Sequence, residues 1–257
     1  MRYEKMFPWQ IREAIRKNCP LVIPMGVLEY HAEHLTVGVD AHVVRGAIDL
    51  LEKEHPEMVV FPTFYLGTPS YAVAGPEGNG SVEIDSKVVS AVCEQMFTSL
   101  LEIGFRNIHG FSFHQGENFA QGMPTDLAFR FAARRVLFAF LEKTRGRGWW
   151  GSESMADYYG GNDPFEWIQI HPIANPEKPF PGDHAGPLET SLMMYLSPEE
   201  VDMARHSDTM WYAREAPGNS SAEYGKRIVE SYVENMRSLL FPLEKPVPDS
   251  AVSAEGT

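Results

Sequence analysis

The sequence predicts an α/β fold with three layers, in which helices cover both faces of a mainly parallel central sheet. Three short apolar runs have the length and composition of buried strands, and longer segments with helical spacing follow them along the chain. Helical connections between buried strands favour parallel pairing, because the chain must cross back to the same end of the sheet. With 257 residues, 44% of them hydrophobic, the chain can bury a substantial core.

The predicted strands occupy residues 21–25, 58–62 and 107–113. The first two are continuous apolar runs, which are typical of strands buried on both faces. The third contains His109 and Gly110, and these residues weaken the strand pattern without abolishing it.

Three helices are predicted for residues 85–103, 124–144 and 221–240, where apolar residues recur every three or four positions. Asp85 is placed to cap the first of these helices, and Gly104 is placed to end it. Each helix is long enough to cover a face of the predicted sheet.

The remaining segments have the composition of loops. Residues 67–81 are rich in turn-forming residues, which predicts a mobile surface loop. Residues 145–184 show no clean period and are expected to form a long irregular connection, of the kind that serves as a lid or an oligomer contact. Residues 1–241 are interpreted as a single domain and residues 242–257 as a flexible tail.

Composition argues against several functional classes. The formal net charge of −13 would repel a phosphate backbone, so nucleic acid is not expected as a partner. The two cysteines are widely spaced and indicate neither a disulfide framework nor a thiolate zinc site. The N-terminus lacks a signal-like apolar core, and no run approaches the roughly 20 apolar residues that a membrane span needs. We therefore expect a soluble cytoplasmic protein with no membrane partner.

Four potential metal ligands lie within twelve residues of one another, shortly after the first predicted strand. They are Glu29, His31, His34 and Asp40. Imidazole and carboxylate groups are common ligands of divalent cations. The sequence therefore predicts half of a metal site at the end of this strand.

Two further stretches supply the other half of the predicted site. His114 follows the third predicted strand, and Asp183, His184 and Glu189 lie around the start of a short helix. Ligand sites of open parallel sheets lie at the carboxyl ends of the strands, where Glu29 and His114 are both expected.

Together these three stretches resemble the creatininase family of metal-dependent amidohydrolases. The family shares the motif Glu-x-His-Gly-x-His-Leu-Pro-x-x-x-Asp, then Asn-Gly-His-Gly-Gly-Asn, then His-Ala-Gly-x-x-Glu-Thr-Ser. The matching residues of this chain are Glu29, His31, His34, Leu35 and Asp40 in the first motif, His114 in the second, and His184, Ala185, Gly186, Glu189, Thr190 and Ser191 in the third. Three ordered matches over roughly residues 20–200 are far more specific than any one of them alone.

The resemblance implies a creatininase-like fold and a centre that holds two divalent metal ions, which could be Zn, Mn or Fe. By that resemblance Glu29 and His114 would bind one ion, His31 would bind the other, and Asp40 would bridge both. His34 is expected to brace the ligand loop rather than to touch a cation.

One position departs from the family pattern. Creatininase has a metal-binding glutamate two residues after the second motif's histidine, whereas this chain has Gly116 there and Glu117 one place later. Relatives with two glycines at that point use the glutamate of the third motif, which favours Glu189 as the last ligand. Glu117 remains the alternative ligand, or a carboxylate that supports catalysis.

The resemblance also implies the chemistry of the site. Two neighbouring cations lower the pKa of a bridging water from near 16 to roughly 7 and polarise the carbonyl under attack. His184, oriented by Asp183, would then donate a proton to the departing nitrogen.

Substrate contacts are expected from five residues around this centre. Gly80 and Ser81 correspond to a loop that lines the family's pocket, and Gln115 follows the second motif histidine. Phe180 stands where creatininase has a tryptophan that closes over creatinine, so creatinine is not the first substrate we would name. Trp167 could belong to a lid, although tryptophans in a long loop are as often anchors or subunit contacts.

The leading functional hypothesis is a two-metal hydrolase that opens a small cyclic amide or a related carbonyl ring. The alternative is a metal-dependent ring-opening hydrolase, isomerase or lyase that acts on a polyhydroxy keto compound. A third reading is a ligand-binding relative without activity, against which the intact ligands at all three loops argue. The family commonly forms hexamers, so a homo-oligomer is expected.

Overall fold

The computed structural model describes residues 1–115, 120–152, 163–175 and 180–242. Its strands are β1 (Leu21–Met25), β2 (Val59–Val60), β3 (Ile108–Ser112) and β4 (Ile168–Pro172). Its α-helices are α1 (Pro8–Arg16), α2 (Val39–Glu54), α3 (Ser86–Ile103), α4 (Pro124–Arg145), α5 (Pro187–Leu196) and α6 (Ala222–Leu240). The described strands form one parallel sheet in the order β2-β1-β3-β4, which confirms the predicted α/β class.

Three of these strands end at a common edge of the sheet. Met25 at the end of β1 pairs with Ser112 at the end of β3, and Ser112 pairs with Pro172 at the end of β4. Residues that follow the strands therefore emerge side by side at this carboxyl edge. The segments that contain Glu29 and His114 are brought together in this way.

Two apolar clusters lie on opposite faces of the sheet. Because side chains alternate along a strand, Leu21 and Ile23 face one cluster while Val22 faces the other. The first of these clusters contains residues of α1, α3 and α4, and the second contains residues of α2, α5 and α6. Helices thus cover both faces, as the three-layer prediction requires.

The strand β4 corrects the prediction for residues 145–184, which were expected to be irregular throughout. β4 pairs with β3 alone among the described strands, and only its first residue is fully buried. Its sequence, Ile-Gln-Ile-His-Pro, mixes apolar and polar residues because one side of the strand is less covered. Such a half-buried edge strand gives a much weaker sequence signal than a central strand does.

The predicted helix boundaries agree with the structure to within one residue. Asp85 caps α3 as expected, since its side chain accepts a hydrogen bond of 2.7 Å from the backbone N–H of Lys87. Gly104 ends this helix with a φ of 123°, a conformation that favours glycine. None of the described helices combines the length and hydrophobicity that a bilayer crossing requires.

A pair of histidines links β3 to β4 on the face covered by α2, α5 and α6. Nε2–H of His109 donates to Oδ1 of Asn107 at 2.7 Å, because an amide oxygen can only accept. Nδ1 of His109 must then accept from Nε2–H of His171, at 3.0 Å. Burial lowers the pKa of His109 to about 3 and that of His171 to about 4, so both rings are neutral near pH 7.

This pair predicts a loss of stability in mild acid. The unfolded chain takes up a proton at each imidazole near pH 6.5 and the folded chain does not, so stability is full above that pH and falls below it. The free energy of unfolding of the wild type should fall between pH 6.5 and about pH 5. We expect this fall to be about 2 kcal/mol smaller in His109→Gln. Urea unfolding at a series of pH values, with a chelator present, measures this difference.

The matched control is Gln169→Thr, which changes the residue paired with His109 in β4 but removes no titratable group. Its pH dependence should equal that of the wild type. If His109→Gln shows the full wild-type slope, the histidine pair does not cause the acid sensitivity.

Candidate metal centre

Five acidic and histidine side chains meet at the carboxyl edge of the sheet. Glu29 and His31 lie in the loop after β1, and His114 lies two residues beyond β3. Asp40 is in the first turn of α2 and Glu189 in the first turn of α5. All five side chains are buried, with at most 5% of each residue exposed.

The carboxylate of Asp40 lies between the two halves of this cluster. Its Oδ1 is 4.0 Å from Nε2 of His31, and its Oδ2 is 3.3 Å from Nδ1 of His114. Oε2 of Glu189 lies 3.5 Å from the same nitrogen of His31, and Oε2 of Glu29 lies 3.6 Å from that of His114. Two triads share Asp40, Glu29 with Asp40 and His114, and His31 with Asp40 and Glu189. Glu29, His31 and His184 form a further group that could hold a cation, and the ligand atoms within each of these three sets lie within 4.8 Å of one another.

These spacings fit ligands arranged around cations. Metal–ligand bonds of about 2.1 Å place two ligand atoms about 3.4 Å apart in a tetrahedral shell. Direct N–H···O hydrogen bonds are usually shorter, at about 2.7–3.2 Å. The separations of 3.3–4.0 Å between the histidine nitrogens and the carboxylate oxygens are therefore closer to those of a ligand shell.

The tautomer of His31 also suits a ligand. Its Nδ1–H donates to the backbone carbonyl of Glu29 at 2.9 Å, which leaves the lone pair of Nε2 facing Asp40 and Glu189. Nε2 is buried and has no hydrogen-bond partner among the residues that the structure describes. Buried polar atoms normally have a bonding partner, and a cation at this position would supply one for Nε2.

The pKa shifts of the carboxylates also favour a bound cation. Burial raises the pKa of Glu29 to about 7 and raises that of Glu189 well above its usual range, and the charge of Asp40 adds to both shifts. Burial opposes the charge of Asp40 as well, but neighbouring imidazoles, His114 foremost, hold its pKa below the usual value. A set of buried carboxylates this close together is favourable as anions only when positive charge is supplied nearby.

Asp183 organises the start of α5. Its carboxylate oxygens accept the backbone N–H groups of Leu188, at 2.7 Å, and of Glu189, at 3.2 Å. Oε2 of Glu189 in turn accepts the N–H of Ala185 at 2.7 Å, which fixes the glutamate beside His31. These contacts give Asp183 a helix-capping role, in addition to any effect on its neighbour His184.

His184 lies at the edge of the cluster and is oriented by the first loop. Its Nε2–H donates to the backbone carbonyl of Tyr30 at 2.7 Å, so the lone pair of Nδ1 remains available. Nδ1 is 3.9 Å from Oε2 of Glu29, and the ring lies 4.4 Å from that of His31. His184 thus belongs to neither of the two triads that share Asp40, but it forms a third possible ligand set with Glu29 and His31.

His34 stands behind the cluster. Its Nε2 is 2.9 Å from the hydroxyl oxygen of Thr190 in α5, so it ties the first loop to the helix that carries Glu189. This contact is of the kind expected for a residue that braces the ligand loop.

Each of the three site histidines is followed by a non-glycine residue in the left-handed region. The φ angles are 57° at Ala32, 51° at Gln115 and 51° at Ala185. Such conformations are uncommon outside glycine and concentrate at functional sites. In this chain the left-handed residues turn the backbone directly after each histidine whose side chain lies at the cluster.

The loop of residues 67–84, which contains Gly80 and Ser81, lies against the cluster. The hydroxyl oxygen of Ser81 accepts the N–H of Tyr30 at 2.9 Å, and the N–H of Ser70 donates to Oε1 of Glu29 at 3.3 Å. Gly80 has a φ of 81°, which favours glycine.

The other residues considered for substrate contact are distributed differently. Phe180 packs edge-on against Tyr224 at the start of α6. Glu117, the alternative ligand or catalytic carboxylate, lies outside the described residues. Trp167 does not reach the cluster, which corrects the expectation that it contacts substrate. It directly precedes β4, at the amino edge of the sheet, and packs against Arg106 and Phe140.

One neighbour of the cluster was missed by sequence reasoning. The ring of Tyr212 meets that of His184 edge-on, with centroids 4.9 Å apart. Tyr212 lies in a short 3-10 turn, Trp211–Ala213, more than twenty residues beyond the last motif. A single tyrosine in an irregular segment gives no sequence signal that could have identified it.

Comparisons with known proteins identify the family and the fold. A family model described as creatininase, creatinine amidohydrolase, matches residues 4–240. A creatinine amidohydrolase of Pseudomonas putida is 26% identical over 198 residues, which cover 74% of this chain and 69% of that protein.

Solved creatininase structures have the same fold. The crystal structure of creatinine amidohydrolase covers 94% of this chain and 98% of its own, with a TM-score of 0.68 and 19% identity. A creatininase described as the Mn form has a TM-score of 0.66 and 19% identity, and covers 94% of this chain and 99% of its own. A mutant of the Zn-Zn type has a TM-score of 0.65 and 19% identity, and covers 94% and 98%.

The capping role of Asp183 predicts a measurable loss of stability. We expect Asp183→Ala to lower the free energy of unfolding by about 1 kcal/mol, because two N–H groups at the start of α5 lose their acceptors. Asp183→Asn should lose less stability than Asp183→Ala, since the amide oxygen of asparagine can still accept one of the two N–H groups whereas its amide nitrogen cannot accept the other. Urea unfolding at neutral pH measures both variants.

Asp202→Ala is the matched control, because it removes a cap from an exposed three-residue turn. We expect it to change stability by less than about 0.5 kcal/mol. An Asp183→Ala variant as stable as the wild type would show that the cap contributes nothing.

Proposed function

The chain belongs to the creatininase family of hydrolases, and we propose that it hydrolyses a small cyclic amide or a related carbonyl compound with the help of two divalent cations. The observation that carries this proposal is the placement of Asp40. Each of its carboxylate oxygens faces a different histidine, and the residue belongs to both triads. A carboxylate that offers one oxygen to each of two cations is suited to bridge them.

The proposed ligands follow from the two triads. Glu29 and His114 would hold one cation, and His31 and Glu189 would hold the other, with Asp40 shared. The contact between Glu189 and His31 supports Glu189 as the last ligand in place of Glu117. The printed descriptions of related creatininases name an Mn form and a Zn-Zn type, so we propose Zn or Mn, with Fe as a further candidate for the same donor set.

The chemistry that bound cations would supply is a water whose pKa is lowered to about 7 and a polarised carbonyl. The protein's own part in proton transfer falls to His184. Its Nδ1 lone pair faces the cluster, so Nδ1 can accept the proton that water loses as it attacks the carbonyl. The same nitrogen can then return the proton to the departing nitrogen, which completes hydrolysis of the C–N bond.

The backbone carbonyl of Tyr30 supports this cycle. It accepts Nε2–H of His184 and so fixes the ring, and its dipole stabilises the imidazolium while Nδ1 carries the extra proton. His184 therefore acts first as a base and then as an acid, a refinement of the simple proton donor expected from the sequence. Burial lowers the pKa of His184 to about 4, so the ring is neutral near pH 7 and Nδ1 carries no proton before the reaction.

Metal stoichiometry tests the proposed ligand set. We expect about two cations for each wild-type chain, about one for Glu189→Gln, and little or none for Asp40→Asn, because Asp40 serves both triads. Plasma mass spectrometry on protein loaded with Zn²⁺ and then desalted gives these counts. The matched variant is Glu117→Gln, which should keep both cations. Loss of one cation from Glu117→Gln but not from Glu189→Gln would reverse the assignment.

Turnover tests the proposed role of His184. We expect His184→Ala to keep both cations and to lower kcat about 10²- to 10⁴-fold, which is the usual contribution of a positioned acid or base. A panel of cyclic amides, formamides and keto-cyclitols would first identify a substrate of the wild type. Equal activity of wild type and variant on that substrate would remove His184 from the mechanism.

The same assay in ¹⁸O-labelled water separates the proposed hydrolysis from the isomerase or lyase alternative. Hydrolysis places one labelled oxygen in the new carboxyl group of the product, because water is the attacking group. A product without label would reject hydrolysis.

A further inference from the structure

Tyr212 lies outside all three family motifs. This residue is half-buried in the short turn Trp211–Ala213 and packs on the apolar cluster formed by α2, α5 and α6. Its hydroxyl group donates a hydrogen bond of 2.8 Å to the backbone carbonyl of Val73, in loop 67–84. Its ring meets His184 edge-on, at 4.9 Å and 80°. One side chain thus touches both the loop and the proposed proton carrier.

Loop 67–84 is anchored to the rest of the protein at three separate points. The N–H of Ser70 donates to Glu29, and the hydroxyl oxygen of Ser81 accepts from Tyr30. At the start of the loop, Thr68 exchanges hydrogen bonds with Thr125 of α4. Val73 lies between Ser70 and Ser81, so the bond from Tyr212 holds the middle of a loop whose flanks already contact the first ligand loop.

His184 is held from three directions. The carbonyl of Tyr30 accepts its Nε2–H, and the rings of His31 and Tyr212 contact its imidazole from positions 4.4 Å and 4.9 Å away. The planes of His31 and His184 differ by 31°, whereas Tyr212 meets His184 nearly at a right angle. The hydrogen bond to the Tyr30 carbonyl would by itself still allow the imidazole ring to rotate. The edge-on contact with Tyr212 restricts that rotation.

The phenol of Tyr212 remains a donor under ordinary conditions. Burial, together with the nearby carboxylate of Glu29, raises the pKa of Tyr212 to about 12. The hydroxyl group therefore keeps its proton, and the bond to Val73 persists at any pH at which a hydrolase of this kind would work.

We propose that Tyr212 is a positioning residue that joins loop 67–84 to His184. Its hydroxyl group holds Val73 and so keeps the loop against Glu29, while its ring fixes the imidazole plane that aims Nδ1 of His184 at the cluster. The functional meaning of this link rests on the proton-carrying role proposed above for His184. The link itself is a matter of contacts, and it can be tested without a substrate or a cation.

Two variants separate the two contacts. Tyr212→Phe removes the hydroxyl group and keeps the ring, whereas Tyr212→Leu removes both. The matched control is Tyr195→Phe, which deletes the hydroxyl group of another half-buried tyrosine packed on the same cluster. All proteins are full-length and are measured in buffer that contains a chelator.

The first measurement is amide hydrogen exchange, resolved by peptide, in loop 67–84. We expect exchange there to be about fivefold faster in Tyr212→Phe and Tyr212→Leu, which corresponds to the loss of one hydrogen bond. Exchange in α4 and in the Tyr195→Phe protein should match the wild type. Unchanged exchange in loop 67–84 of Tyr212→Phe would overturn the proposed hold on Val73.

The second measurement is the rate at which diethyl pyrocarbonate modifies His184, followed by mass spectrometry. We expect this rate to stay at the wild-type value in Tyr212→Phe and to rise about fivefold in Tyr212→Leu, because only the latter loses the aromatic contact. The rate at His42, whose contacts are with Glu200 and Tyr65, should not change in either variant. An unchanged His184 rate in Tyr212→Leu, or an equal rise at His42, would overturn the proposed positioning.

These outcomes are independent of the proposed hydrolysis. If the chain binds no cation and turns over no substrate, the link from Tyr212 to the loop and to His184 can still be found. If the chain is a two-cation hydrolase, both readouts can still fail and reject the link alone.

Discussion

The carboxylate of Asp40 is the point on which the rest of this structure depends. It is buried between His31 and His114 and presents one oxygen to each of them. Two further carboxylates, Glu29 and Glu189, lie on either side, and so much buried negative charge is costly unless cations compensate it. The parallel sheet makes the arrangement possible, because aligned strand ends deliver the loops with Glu29 and His114 to one edge. The starts of α2 and α5 bring their partially positive ends to Asp40 and Glu189.

The backbone around this cluster is held in conformations that the chain would not adopt by itself. Left-handed residues directly follow His31, His114 and His184, and each such non-glycine residue costs about 1 kcal/mol or more. Caps and buried hydrogen bonds elsewhere, such as the Asp183 cap and the link from His34 to Thr190, hold the same loops in place. The strained residues thus lie where the side chains of the cluster converge, as is common at functional sites.

Much of the fold could be predicted from local sequence patterns. The strand β1 is a continuous apolar run, the strand β3 is a weaker one, and the helices α3, α4 and α6 carry clear periodicity. The motif residues were recognisable as a set because they lie at fixed spacing. The sequence could not reveal β4, because an edge strand with one poorly covered side has a mixed composition. It also could not place Trp167 or Tyr212, since the edge of the sheet that each residue reaches depends on pairings with distant segments.

The most direct test of the central claim is anomalous diffraction from crystals of the protein grown with Zn²⁺. The account predicts two anomalous peaks for each chain, about 3–4 Å apart, with Asp40 between them. Glu29 and His114 should surround one peak, and His31 and Glu189 should surround the other. A single peak, or peaks that do not share Asp40, would contradict the account.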